Sequence, residues 1–181
     1  MKLCWWPSRW LTFCGKYRDV TPSTKTAERS SPVDATENPL NSPRSNRRKG
    51  RELALQALYQ IEMTGDSSAA AVDLFVQHFE GNVKAKEFAR RLVSGTISQR
   101  AEIDRLIEQA MVNWKIDRLA KVDFLILRIA TYELMFCADI PTAVSLDEAV
   151  EIAKRFGSED SASFINGVLD QVARSSCAKS Q

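Results

Sequence analysis

A chain of 181 residues that is 44% hydrophobic and 27% charged has the size and balance of one folded domain with a tail. Its four cysteines (Cys4, Cys14, Cys137, Cys177) form no C-x-x-C pair and its one histidine is His78, which excludes the usual zinc spacings and a disulfide framework and fits a reducing, cytoplasmic setting. The net charge of +2 hides a separation: five cations crowd into residues 44–51, while the residues after them hold 14 Lys or Arg against 19 Asp or Glu.

Residues 1–43 hold five of the six prolines and three of the four tryptophans, with no helical or strand period, and read as a disordered N-terminal extension. Pro7 and Arg9 break any signal-peptide core, and the absence of acids before Asp19 fits a transit peptide somewhat better. A start set upstream of the true domain explains the segment better still. The folded part is expected over 44–175, with a flexible end at 176–181.

Between Arg44 and Pro141 there is no proline, and helical patterns follow one another. Leu53, Ala57, Leu58 and Ile61 form an apolar stripe over 52–61, stopped by Gly65. Ser67 or Ser68 opens a second helix with Val72, Phe75, Val76 and Phe79 on one face, ending at Gly81. A third runs from Lys84 through Phe88, Leu92 and Val93, and Gly95 marks a break or a close helix contact. Ile103, Leu106, Ile107, Ala110 and Trp114 give a fourth stripe. Asp117 is the expected cap of a helix over 119–137 that is apolar nearly all round and therefore central; Arg128 and Glu133 keep it from being a membrane span. Ser145-Leu-Asp-Glu148 reads as a capping box, and Ser158, with Glu159 and Asp160 in its first turn, starts the last helix. The expectation is an all-α bundle of about seven helices.

The residues offer little for catalysis. His78 has no second histidine or cysteine at ligand spacing, the glycines form no nucleotide-binding loop, and Asp147, Glu148 and Glu151 read as a solvated helix face, so neither enzyme nor cofactor is expected. The informative stretch is Arg44-Ser-Asn-Arg-Arg-Lys-Gly-Arg51. Cations at a helix start oppose the macrodipole, a local cost that asks for a reason. Beyond them Gln56 and Tyr59 offer an amide and a phenol to bases or riboses. The residues alone point to nucleic acid, RNA ahead of DNA, and leave a protein-interaction module open.

Three stretches then carry a resemblance: Arg47-Arg-Lys-Gly-Arg-Glu-Leu-Ala-Leu-Gln-Ala-Leu-Tyr59, Val122-Asp-Phe-Leu-Ile-Leu-Arg-Ile-Ala-Thr-Tyr-Glu-Leu134, and residues 140–170 with Phe156-Gly157, Glu159-Asp-Ser161 and Phe164-Ile-Asn-Gly-Val-Leu-Asp170. In order and spacing they resemble the bacterial transcription antitermination factor NusB family. The resemblance implies two packed helical subdomains that bind the boxA element of nascent ribosomal RNA together with the ribosomal protein NusE, inside an RNA polymerase antitermination complex. It also implies RNA-facing roles for Arg47, Arg48, Lys49, Arg51, Gln56 and Tyr59, a second RNA patch at Asp160, Ser161 and Phe164, and a NusE-facing role for Asp123. Some family members carry a lysine two residues before the second-patch phenylalanine or directly beside it, whereas this chain reads Ser161-Ala-Ser-Phe164, which shifts weight to the basic strip. From the residues, Asp123 is equally an internal partner for Lys121, Arg118 or Arg128. A homodimer stays open.

Two other readings keep the helices and change the class. A NusB-like domain also begins certain ribosomal-RNA cytosine methyltransferases, which need a following Rossmann-like domain that the residues up to Gln181 do not supply. A helical adaptor binding only protein would use the acidic body.

Overall fold

The computed structural model describes residues 43–78, 82–111 and 119–177. They form seven α-helices: α1 (Pro43–Thr64), α2 (Ala69–His78), α3 (Val83–Ser98), α4 (Arg100–Ala110), α5 (Lys121–Phe136), α6 (Thr142–Phe156) and α7 (Ser161–Cys177). Residues 1–42 of the expected extension, Phe79, Gly81, Trp114, Asp117, Arg118 and the residues after 177 lie outside the described residues, while Pro43 belongs to α1.

The first helix begins almost three turns before the apolar stripe suggests. Pro43 opens it, a position where the missing N–H has no helical partner to lose. The basic strip is therefore itself helical, and its side chains fan out around one rigid cylinder. At the other end Gly65 adopts φ 73° and its N–H returns to the Ile61 carbonyl at 2.8 Å, a left-handed stop that suits glycine. Ser68 caps α2 by accepting from the Ala71 N–H at 3.2 Å, and Asn82 caps α3 by accepting from Ala85 at 2.8 Å.

α1 packs with α2 and α3, and α6 and α7 pack as a pair; α5 touches α1, α3, α4, α6 and α7. That central place explains its composition. Leu125, Ile126 and Leu127 are all but fully buried, and so are four polar residues of the same helix, Asp123, Arg128, Thr131 and Glu133. Buried charges on such a helix must find partners. Arg128 does so through Asp104 at 2.7 and 2.8 Å and Glu62 at 2.8 Å, with its guanidinium 4.0 Å above the Phe124 ring.

Three expected helix starts differ, the last helix among them: α7 opens at Ser161, so Glu159 and Asp160 precede its first turn. The residue before α5 is Ala120, whose side chain cannot cap. α6 starts at Thr142 after Pro141, so Ser145 lies inside it, its N–H already bonded to the Pro141 carbonyl at 3.2 Å. The capping-box reading fails because both of its polar residues are drawn into a buried network with other helices.

Gly95 is a close contact and not a break: α3 runs through it to Ser98, and a Cβ there would overlap the Tyr132 ring of α5. Gly95→Ala should lose about 1–3 kcal/mol of stability by overpacking. Chemical denaturation checks this, and adding Tyr132→Ala should make the double variant lose less than the two single losses combined.

Candidate nucleic-acid interface

Because the strip is helical, its five cations point in different directions. Arg44 and Arg48 turn toward α6. Arg48 donates two hydrogen bonds to Glu148, from Nε to Oε2 and from Nη2 to Oε1, both at 3.0 Å, and these hold its pKa above the ordinary arginine value. Arg44 reaches the same carboxylate only at 4.0 Å and remains 87% exposed. Arg47 turns the other way, toward α3, where it meets Asp139 at 3.5 Å and lies 5.8 Å from the centre of the Phe88 ring. Lys49 is exposed.

Arg51 goes inward. Its side chain is 3% exposed; Nε and Nη2 bond the two oxygens of Glu133 at 2.7 and 2.9 Å, Nη1 lies 3.8 Å from Glu148, and the guanidinium sits 5.5 Å from the Phe88 centre. Ser145 Oγ completes the cluster by donating to Glu133 at 3.0 Å. This placement turns Arg51 away from the surface expected to face RNA, with Nε and Nη2 bonded to Glu133 within the protein. Arg51 is a strut that fixes α1 to α5 and α6. Glu148, expected on a solvated face, is likewise buried. These acids also answer the macrodipole objection: the cations at the start of α1 are offset by carboxylates of α5 and α6.

Between α1 and α6 runs an open groove lined by Arg48, Glu52, Glu151, Ile152, Lys154 and Arg155. Arg155 pairs with Glu52 and lies 5.3 Å from the centre of the Phe156 ring. Burial pushes the Glu52 carboxyl above the usual glutamate range, against the pull of Arg155. Lys154 and Arg155 were not apparent as site residues from the sequence. Their spacing from the strip gives no hint, and it is the Arg155–Glu52 pair that ties this part of α6 to α1.

The second expected patch begins a few residues beyond the end of α6. There Asp160 is exposed, Phe164 is half-buried against the core, and Ser161 is buried. Ser161 Oγ donates to Asp123 Oδ2 at 2.9 Å and accepts from the Ser158 N–H at 2.8 Å. Asp123 is 7% exposed, and its Oδ1 has no hydrogen-bond partner among the described residues. Ser161 and Asp123 thus lie below the surface in the unbound chain, where their hydrogen bond joins the starts of α5 and α7. Of the internal partners considered for Asp123, Arg128 is taken by Asp104 and Glu62. Gln56 and Tyr59 are half-buried on α1, the Gln56 Oε1 without a hydrogen-bond partner among the described residues.

Elsewhere, His78 Nδ1 lies 2.7 Å from the Leu74 carbonyl oxygen of its own helix. Among the described residues no group of His, Cys, Asp and Glu is arranged to hold a metal, and no helix is long and apolar enough to cross a membrane.

Fold and surface together define an all-helical protein that presents oriented arginines, several of them backed by an acid on a neighbouring helix. Comparison with known proteins makes this specific. The model of the NusB family matches residues 48–174. The transcription antitermination protein NusB of Desulfatibacillum aliphaticivorans is 47% identical over 126 residues, 70% of this chain and 88% of its own length. That of Geobacter sulfurreducens is 48% identical over 128 residues, covering 70% and 93%. Among solved structures, T. maritima NusB matches with a TM-score of 0.64 and 42% identity over 71% of this chain and 90% of its own. A chain in the crystal structure of antitermination factors NusB and NusE in complex with dsRNA matches with a TM-score of 0.65 and 27% identity over 72% and 97%. The chain belongs to the NusB family.

Proposed function

We propose that this protein is a non-catalytic, cytoplasmic antitermination factor that binds boxA-type RNA of nascent ribosomal RNA together with the ribosomal protein NusE, as part of an RNA polymerase antitermination complex. The observation that carries the reading is the basic strip as a helical grip, with Arg47 and Arg48 held in place by Asp139 and Glu148 and still 43% exposed. Guanidiniums held this way exchange a carboxylate for a phosphate without being reordered, so binding forfeits little side-chain entropy. The relatives' shared name and the solved assembly of NusB, NusE and RNA support the same assignment.

In this reading phosphates meet Arg48, Lys154 and Arg155 in the α1–α6 groove, Lys49 adds a further exposed cation, and Asp160 and Phe164 form the second patch. The first 43 residues have no part in this reading, which rests on the domain over 44–175. A titration with boxA RNA, run with and without the ribosomal protein, tests it. The expected result is binding that falls steeply as salt rises and tightens when the protein is added. Equal affinity for a scrambled RNA of the same length would remove boxA from the proposal. If the ribosomal protein binds while RNA adds nothing, the molecule is a protein adaptor instead.

A further inference from the structure

Helix α1 separates two surfaces, and of the second the RNA reading above uses Arg47 alone. On the other side, where the start of α1 meets α3 and the end of α5, a single carboxylate gathers two arginines from different helices. Asp139 accepts from Arg91 at 2.6 and 3.1 Å and from Arg47 at 3.5 Å. All three side chains are 43% exposed, so the corner keeps one net positive charge facing solvent. Arg91 also lies beside the Tyr132 phenol, and Tyr132 stacks on Phe136 with ring centres 5.6 Å apart and planes 24° apart. Phe136 is 40% exposed at the end of its helix. Gly95 keeps the space that Tyr132 occupies.

We propose that this corner is a second RNA subsite, binding a phosphate on Arg47 and Arg91 and an unstacked base on Phe136 as single-stranded RNA continues past the strip. The inference rests on the RNA-binding reading of the chain and extends it. Three things support it. Arg47 belongs to the strip, so the corner is continuous with it. The guanidiniums are already oriented by Asp139, which a phosphate can replace as the bridging anion. An exposed aromatic ring joined through the stacked Tyr132 to an arginine pair that faces solvent is the composition of a sequence-tolerant stacking platform for single strands, and neither feature alone would make one.

The test compares a short boxA-type RNA with the same RNA carrying several single-stranded nucleotides at either end, titrated against the full chain at constant salt. The unaltered protein should bind the longer RNA more tightly. Phe136→Ala and Arg91→Ala should each abolish that gain, about tenfold for the stacked base, while leaving the short RNA's affinity nearly unchanged. Asp139→Asn should move the other way and strengthen binding of the longer RNA, an outcome that loss of folding does not mimic. If flanking nucleotides add nothing for the unaltered protein, or if Phe136→Ala binds both RNAs as the parent does, the subsite is wrong and the strip stands. If the short RNA itself fails to bind, the RNA reading falls and the subsite with it. A dimer dissolved by Phe136→Ala, or loss of the ribosomal protein in that variant with RNA binding intact, makes the corner a protein interface and overturns the proposal.

Discussion

Arg51→Ala is expected to destabilise the fold by about 3–5 kcal/mol, the usual range for stripping one partner from a buried ion pair. It leaves the Glu133 carboxylate, which is 1% exposed, with only the Ser145 hydroxyl as a hydrogen-bond donor among its described partners. Thermal or urea unfolding followed by circular dichroism measures the loss directly. Replacing the pair together, Arg51→Met with Glu133→Leu, should recover much of it, because apolar side chains of similar volume need no charge compensation. The same pair of variants separates strut from RNA contact. If Arg51 touches RNA, the double variant stays weak toward RNA after its stability returns. If it is a strut, affinity returns with stability.

The second large effect concerns the exposed half of the strip. Changing Arg47, Arg48 and Lys49 together to Ala should weaken boxA RNA binding and lower the dependence of log K on log salt by about 2, since each neutralised phosphate of a single strand contributes roughly 0.7 to that slope. Losing Arg48 also costs stability, because the buried Glu148 then keeps only Arg51 at 3.8 Å and Arg44 at 4.0 Å. Thermal unfolding of the variant is therefore followed beside the titration, and Arg47→Ala with Lys49→Ala, which leaves that pair intact, serves as the stable control. Filter binding or fluorescence anisotropy at several salt concentrations gives both numbers. Unchanged affinity at every salt concentration would mean that the strip is not where RNA binds.

The helices were legible because burial imposes a period. Val72, Phe75 and Val76, or Ile103, Leu106 and Ile107, repeat as a helix face must, and the all-apolar run after Val122 announced the central helix. Charge was harder to read. A run of cations looks uniform in sequence, yet Arg47, Arg48 and Arg51 sit at successive angles around one helix and meet three different acids, Asp139, Glu148 and Glu133. Those acids lie more than eighty residues away, so no local pattern connects them. Ser145 and Glu148 misled for the same reason: the spacing was that of a cap, but Ser145 donates to the distant Glu133 and Glu148 pairs with Arg48 and Arg51. Arg155 and Arg91 carry no sequence signal at all, since each is one basic residue on an amphipathic helix until the packing of α6 and α3 sets it beside α1.

Only some of these cations tolerate drift between the two basic amino acids. Arg48 and Arg51 each grip both oxygens of one carboxylate, a fork that a lysine ammonium cannot reproduce. Arg44 and Lys49 sit in solvent, where either residue supplies the same charge. Over evolutionary time the strip is free to exchange arginine for lysine at 44 and 49 while staying fixed at 51, unless the acid opposite changes in step.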